Sequence, residues 1–192
     1  MAQEKTAAQS RWEPARHDED NWLDKNQAKH RVVFDSIASD SLGETLAFAS
    51  NYYAANRNDY KLENTDLAVV FVLRHRAAPF GYNDAIWAKY GEHLAARIKF
   101  EDPKTKSAPK ANVFNATDRG ATLDGFGKFG AQFAVCKLST RAMAGAVAKA
   151  TGGKVDEIFA EISANLIPNA RLVPAGIVAV NRAQERGYTL MA

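Results

Sequence analysis

The chain has 192 residues, of which 46% are hydrophobic and 24% charged, and its formal net charge is +3. That length suits one ordinary domain with a real core rather than two. The weak charge, without clustered Lys and Arg interleaved with aromatics, argues against a nucleic-acid partner, and no run reaches the about 20 apolar residues of a membrane helix.

Residues 1–30 are polar and lack helical or strand periodicity, and form an N-terminal arm. Trp12 and Trp22 interrupt it. A tryptophan is costly to leave in water, so the arm is either a tail or a segment that docks on its own domain or a neighbouring subunit. No secretory leader is visible, which reads as cytoplasmic; a leader removed before Ala2 would make the protein periplasmic. A single domain over 31–192 follows the arm.

"RVVFDS" (31–36) predicts a short buried strand. Ser41 and Glu44 have capping-box spacing, and the helix after them places Leu42, Leu46, Ala49 and Tyr53 on one face. "DLAVVFVL" (66–73) is the strongest strand, apolar throughout and so covered on both faces. Asn83 is the expected N-cap of a helix with Ile86, Tyr90 and Leu94 inward. Residues 99–116, with two prolines and four lysines, read as a long surface loop. A short helix around 117–126 precedes the strand "AQFAVC" (131–136).

Ser139 is the expected cap of the next helix, with Met143, Val147 and Ala150 inward. "DEIFAEISANLI" predicts another amphipathic helix, stopped near Pro168, and "ARLVP" (170–174) a strand. Pro174 and Gly187 bracket a last helix, and "YTLM" (188–191) closes as a strand. Five short apolar runs thus alternate with helical spacers. The fold class is α/β, a three-layer α/β/α sandwich with a mainly parallel five-stranded, flavodoxin-like sheet.

In such sheets ligands bind off the carboxyl ends of the strands. That rule selects Asp35, Ser36, Ser39 and Asp40 after the first strand, Arg74, His75, Arg76 and Tyr82 after the second, and Cys136, Lys137, Ser139 and Thr140 after the third. Cys136 is the only cysteine, so neither an intrachain disulfide nor a multi-cysteine metal site is available. A thiol at a helix N-terminus beside cations is activated as thiolate, whereas free Cys is also among the most buried residue types, and position alone leaves both readings open. His75 is either the acid–base partner of such a thiol or a solvated residue between two arginines. Arg74, Arg76, Lys137 and Ser139 are candidate anion-binding groups. "GFGKFG" (125–130) matches a dinucleotide fingerprint in letters but precedes a strand, so its phosphates would meet no helix N-terminus. His17, His30, His75 and His93 show no metal spacing, and no metal or other cofactor is expected.

"GAQFAVCKLSTRAMAG" (130–145) resembles the strand–Cys–helix region of the DsrE/DsrF-like sulfur-relay family, and "LVPAGIVAVNRAQERGYTLM" (172–191) is similar to that family's last helix and strand. The resemblance implies a DsrE-like subunit that forms homo- or hetero-oligomers. It implies that Cys136 carries persulfide sulfur between donor and acceptor proteins without a cofactor. The arm, the "RHRAAPFGYND" segment and the 99–116 loop depart from the small carriers. They support the alternative of a non-catalytic ligand-binding or assembly module, with Phe80, Tyr82 and Trp87 as either interface anchors or core. A third arrangement would use Cys136 with His75 as soft ligands for copper or haem iron.

Overall fold

The computed structural model describes residues 13–115 and 121–191. Five strands form one sheet: β1 His30–Ser36, β2 Leu67–Leu73, β3 Gln132–Cys136, β4 Ala170–Val173 and β5 Thr189–Met191. Their order is β4-β3-β2-β1-β5, and every pairing is parallel. All seven residues of β2 are buried, as an unbroken apolar run in the middle of a two-sided sheet requires.

Six helices complete the sandwich: α1 Ser39–Tyr60, α2 Asp84–Ile98, α3 Leu123–Lys128, α4 Lys137–Thr151, α5 Val155–Ala164 and α6 Gly176–Gln184. The first five pack on one face. Alternate strand residues there (Val32, Phe34, Leu67, Val69, Phe71, Phe133 and Val135) join the helices in one large apolar core. The opposite residues (Val33, Ala68, Val70, Val72 and Ala134) meet α6 together with Trp22 and Leu23. Those two belong to a short 3-10 helix, Asp18–Asp24, so this part of the arm lies on the sheet. The Trp22 ring lies under the Arg171 guanidinium at 5.0 Å, and Leu23 O accepts a hydrogen bond from Tyr188 Oη at 2.7 Å. Trp12 lies outside the described residues.

Several local expectations need correction. The capping box at Ser41 does not form: α1 begins at Ser39, with Ala38 as an N-cap that supplies no side-chain hydrogen bond. Only Ile37 and Ala38 separate β1 from α1, so the chain turns into helix before Ser41 is reached. The inward face is as expected, with Leu42, Leu46, Ala49 and Tyr53 all buried. Asn83 caps α2 by accepting Ile86 N–H. In α4, Met143 and Val147 are buried but Ala150 is exposed. Ala144 and Ala148 are buried in its place, because α4 packs against both α2 and α5. The short helix before β3 covers 123–128 rather than 117–126, and residues 116–120 lie outside the described residues.

The segment after α2 is more tightly held than a surface loop. Phe100 and Phe114 are buried around Phe80, their ring centroids 5.2 and 4.6 Å from it. Asn112 is also buried and donates to the carbonyls of Phe80 and Tyr82. Gly91 of α2 permits the approach, since a Cβ there would lie 2.1 Å from Pro109 O.

Candidate functional site

Strand parity decides what reaches the carboxyl edge. Leu73 pairs with Val135, which brings Arg74 level with Cys136, and Asp35 pairs with Val72 one strand further along. Counting alternately from Val33, Val72 and Ala134, the side chains of Asp35, Arg74 and Cys136 all fall on the α6 face. They form a row across three adjacent strands.

Arg74 and Asp35 make a two-pronged ion pair, with Nε to Oδ1 and Nη2 to Oδ2 both at 2.8 Å. The Asp35 carboxylate raises the Arg74 pKa above its ordinary value. Partial burial opposes the rise, and a thiolate at Cys136 adds to it. The stem of Arg74 lies against the first turn of α6, where a Cβ on Gly176 would come within 2.6 Å of Arg74 Cβ. Gly176 is therefore a spacing residue that lets the arginine lie flat between sheet and helix.

Cys136 ends β3, and α4 begins at the next residue with no intervening loop. The expected cap, Ser139, is displaced from that role: Cys136 itself is the N-cap, and its Sγ accepts Ser139 N–H at 3.4 Å. The sulfur thus occupies the position where a Ser or Asp oxygen commonly satisfies a helix's first amides, at the positive end of the helix dipole. The residue is 6% exposed. On the other side of the sheet, buried Tyr82 donates to Thr140 Oγ1 at 3.0 Å, and Thr140 donates to Cys136 O at 3.0 Å. Burial, with a smaller contribution from a Cys136 thiolate, raises the Tyr82 pKa well above the usual phenol range, against the pull of its Thr140 hydrogen bond. Tyr82 acts there as a proton-bearing strut that holds the end of β3.

The other candidates occupy the rim. His75 is exposed and sits at φ 53°, in the left-handed region. Its backbone N–H donates to Ser139 Oγ at 2.9 Å, tying the end of β2 to α4. The hydrogen bond received by the sulfur comes from Ser139 rather than from the His75 ring. Arg76 is half-buried: its N–H bonds Ile37 O, and its Nε is buried without a hydrogen-bond partner. Lys137 is exposed on the first turn of α4. The segments carrying Cys136, Arg74, His75, Arg76, Lys137 and Ser139 thus meet at one edge, with Arg74 nearest in register to the thiol.

Sequence reasoning selected Asp35 at the edge but not its pairing with Arg74, and it did not select Gly176. Asp35 carried a legible signal, a carboxylate at a strand end near a later strand-end arginine. Gly176 carried none, because its role depends on a contact 102 positions away in the chain with Arg74. Among the described residues no group of three or more His, Cys, Asp and Glu comes together to hold a metal ion. The glycine-rich "GFGKFG" lies on α3 and the turn into β3, where it can meet no phosphate in the Rossmann manner. Phe80, Tyr82 and Trp87 are fully buried and belong to the core, which removes them as interface anchors.

No protein-family model and no curated protein matches the chain.

Proposed function

We propose that this chain is a DsrE-like sulfur-handling protein in which Cys136 carries sulfane sulfur. The observation that carries the reading is the setting of one atom: the Cys136 sulfur caps α4 through Ser139 N–H, in the same row as the Arg74 guanidinium. A helix N-terminus and a neighbouring cation place positive charge where a sulfur nucleophile carries its negative charge. The Cys136 thiolate attacks the outer sulfur of a donor persulfide, R–S–S–H. A new sulfur–sulfur bond forms at Cys136, the donor bond breaks, and the donor leaves as thiolate with its electron pair. An acceptor thiolate then attacks the carried sulfur in the same way and restores Cys136. The two steps balance without an external oxidant, reductant or cofactor. Arg74 stabilises the anion, Ser139 orients it, and His75, Arg76 and Lys137 line the approach.

Incubation with glutathione persulfide, followed by intact-mass and peptide mapping, tests the reading. The expected result is the mass of one added sulfur on Cys136, removed by excess thiol and absent from folded Cys136→Ser. A folded protein whose Cys136 stays unmodified would overturn it.

The low exposure of Cys136 favours a second reading, a binding or assembly module in which the thiol only packs. Alkylation separates the two. A carrier thiol reacts with iodoacetamide in the native state, whereas a packing thiol reacts only after denaturation.

A further inference from the structure

A groove of about 810 Å³ opens between the start of α1 and the segment that follows α2. Its volume falls in the range of about 300–1,000 Å³ common to small-molecule sites. Ser39, Asp40 and Gly43 form one wall, and the 99–114 stretch forms the floor and the other wall. Cys136, Arg74 and Asp35 do not line it, so it is separate from the thiol row. The far wall is firmly tied. Phe100 and Phe114 pack on Phe80, and Pro109 lies against Gly91. The buried Asn112 side chain donates to Phe80 O and Tyr82 O and accepts Phe114 N–H at 3.2 Å. A wall already in place spares a ligand the cost of ordering it.

The near wall contains a glycine that the fold does not require. Gly43 lies inside the 22-residue α1, where glycine is destabilising relative to alanine. A Cβ there would meet only Phe114 Cε1, at 3.6 Å, which is ordinary contact. Neither packing nor backbone conformation calls for glycine at this position. Its bare backbone keeps α1 clear of Phe114 and the groove open. The charges of the lining cancel: among the described residues Lys99, Lys104 and Lys110 stand against Asp40, Glu101 and Asp102. An anion or a cation would therefore meet like charge as well as opposite charge. The buried polar residues of the lining are also occupied, Asn112 as above and Ser39 by donating to Asp40 Oδ1. We infer that this groove binds an uncharged small organic molecule whose apolar, ring-bearing body lies on Phe100 and Phe114. The inference is independent of any chemistry at Cys136.

The test uses the full chain and a matched pair of fluorescent probes, uncharged N-phenylnaphthylamine and its sulfonate. The uncharged probe is expected to bind saturably at one site per chain, and about tenfold tighter than the sulfonate, which must give up water beside carboxylates. Gly43→Leu fills the groove while raising helix propensity. It is expected to weaken the uncharged probe by about tenfold or more, with circular dichroism and unfolding midpoint kept. Gly43→Ala is the second variant should leucine disturb the fold, and it is expected to weaken binding about twofold to threefold. Asp40→Asn leaves the lining with one positive charge in excess, and is expected to improve the sulfonate alone. Equal or tighter binding of the sulfonate to the unsubstituted chain overturns the uncharged class, as does a gap between the probes that Asp40→Asn fails to narrow. Unchanged binding of the uncharged probe by a folded Gly43 variant overturns the groove as its site.

Discussion

The two faces of the sheet are built from different materials. On the α1–α5 face Phe71 stacks with Phe34 and Phe133 and lies tilted against Phe126, at centroid distances of 5.3–5.5 Å, and Phe80 stacks on Trp87. On the α6 face the strands present Ala68, Ala134 and valines, α6 presents Ala179 and Ala183, and polar groups are paired at the margins. Asp35–Arg74 closes the carboxyl end, while Asp20–Arg182 and Asp24–Arg186 close the side beneath the N-terminal segment. Large rings bury area and fix the fold. Small residues leave room for a guanidinium and a thiol to lie against the sheet. Stability therefore resides mainly on one face and the candidate chemistry on the other.

The largest expected break in this division is Phe71→Ala. It removes a fully buried ring at the centre of the aromatic stack and should cost about 3–5 kcal/mol in urea unfolding. If the variant loses less than the Asp35 change below, the α1–α5 face is not the main source of stability. Asp35→Ala leaves Arg74 charged and half-buried without its carboxylate, at a cost of about 2–3 kcal/mol. It should also alter the alkylation rate of Cys136, an effect Phe71→Ala should not produce at temperatures where that variant is folded. Gly176→Ala is smaller, about 1–2 kcal/mol, because the added methyl must push the Arg74 stem off α6. Its diagnostic is the same shift in Cys136 reactivity, with α6 helicity retained by circular dichroism.

The smallest effect is a pH dependence on the ring-rich side. Tyr82 keeps its proton in the folded chain above its ordinary pKa of 10.0, whereas the unfolded chain loses it there. Above that pH the unfolded state binds fewer protons than the folded state, so stability falls as pH rises. Tyr82→Phe should flatten part of that alkaline fall while costing about 1 kcal/mol near neutrality, from the lost bond to Thr140. An unchanged alkaline slope would remove Tyr82 as its source. Tyr53, likewise raised by burial, would then be the residue to substitute.

The α/β order was legible because each strand is a short apolar run and each long helix has a face at helical spacing, as Leu42, Leu46, Ala49 and Tyr53 illustrate. The candidate edge was legible in part. Parallel strands send their carboxyl ends to one side, so residues after β1, β2 and β3 had to converge there. Helix starts were less legible. Cys136 displaced Ser139 as a cap because β3 runs straight into α4, and Ala38 displaced Ser41 because the β1–α1 connection is two residues long. Connection length depends on how helix and sheet pack, which local residue preferences do not encode.

Local pattern by itself determined the strands, the inward helix faces and the edge of the sheet at which chemistry would gather. These are properties of periodicity, read within a few residues. Only the tertiary structure decided that Asp35 holds Arg74, that Gly176 makes room for it, and that Phe80, Tyr82 and Trp87 are core. Each of those depends on strand order and register, which bring together residues tens to more than a hundred positions apart in the chain.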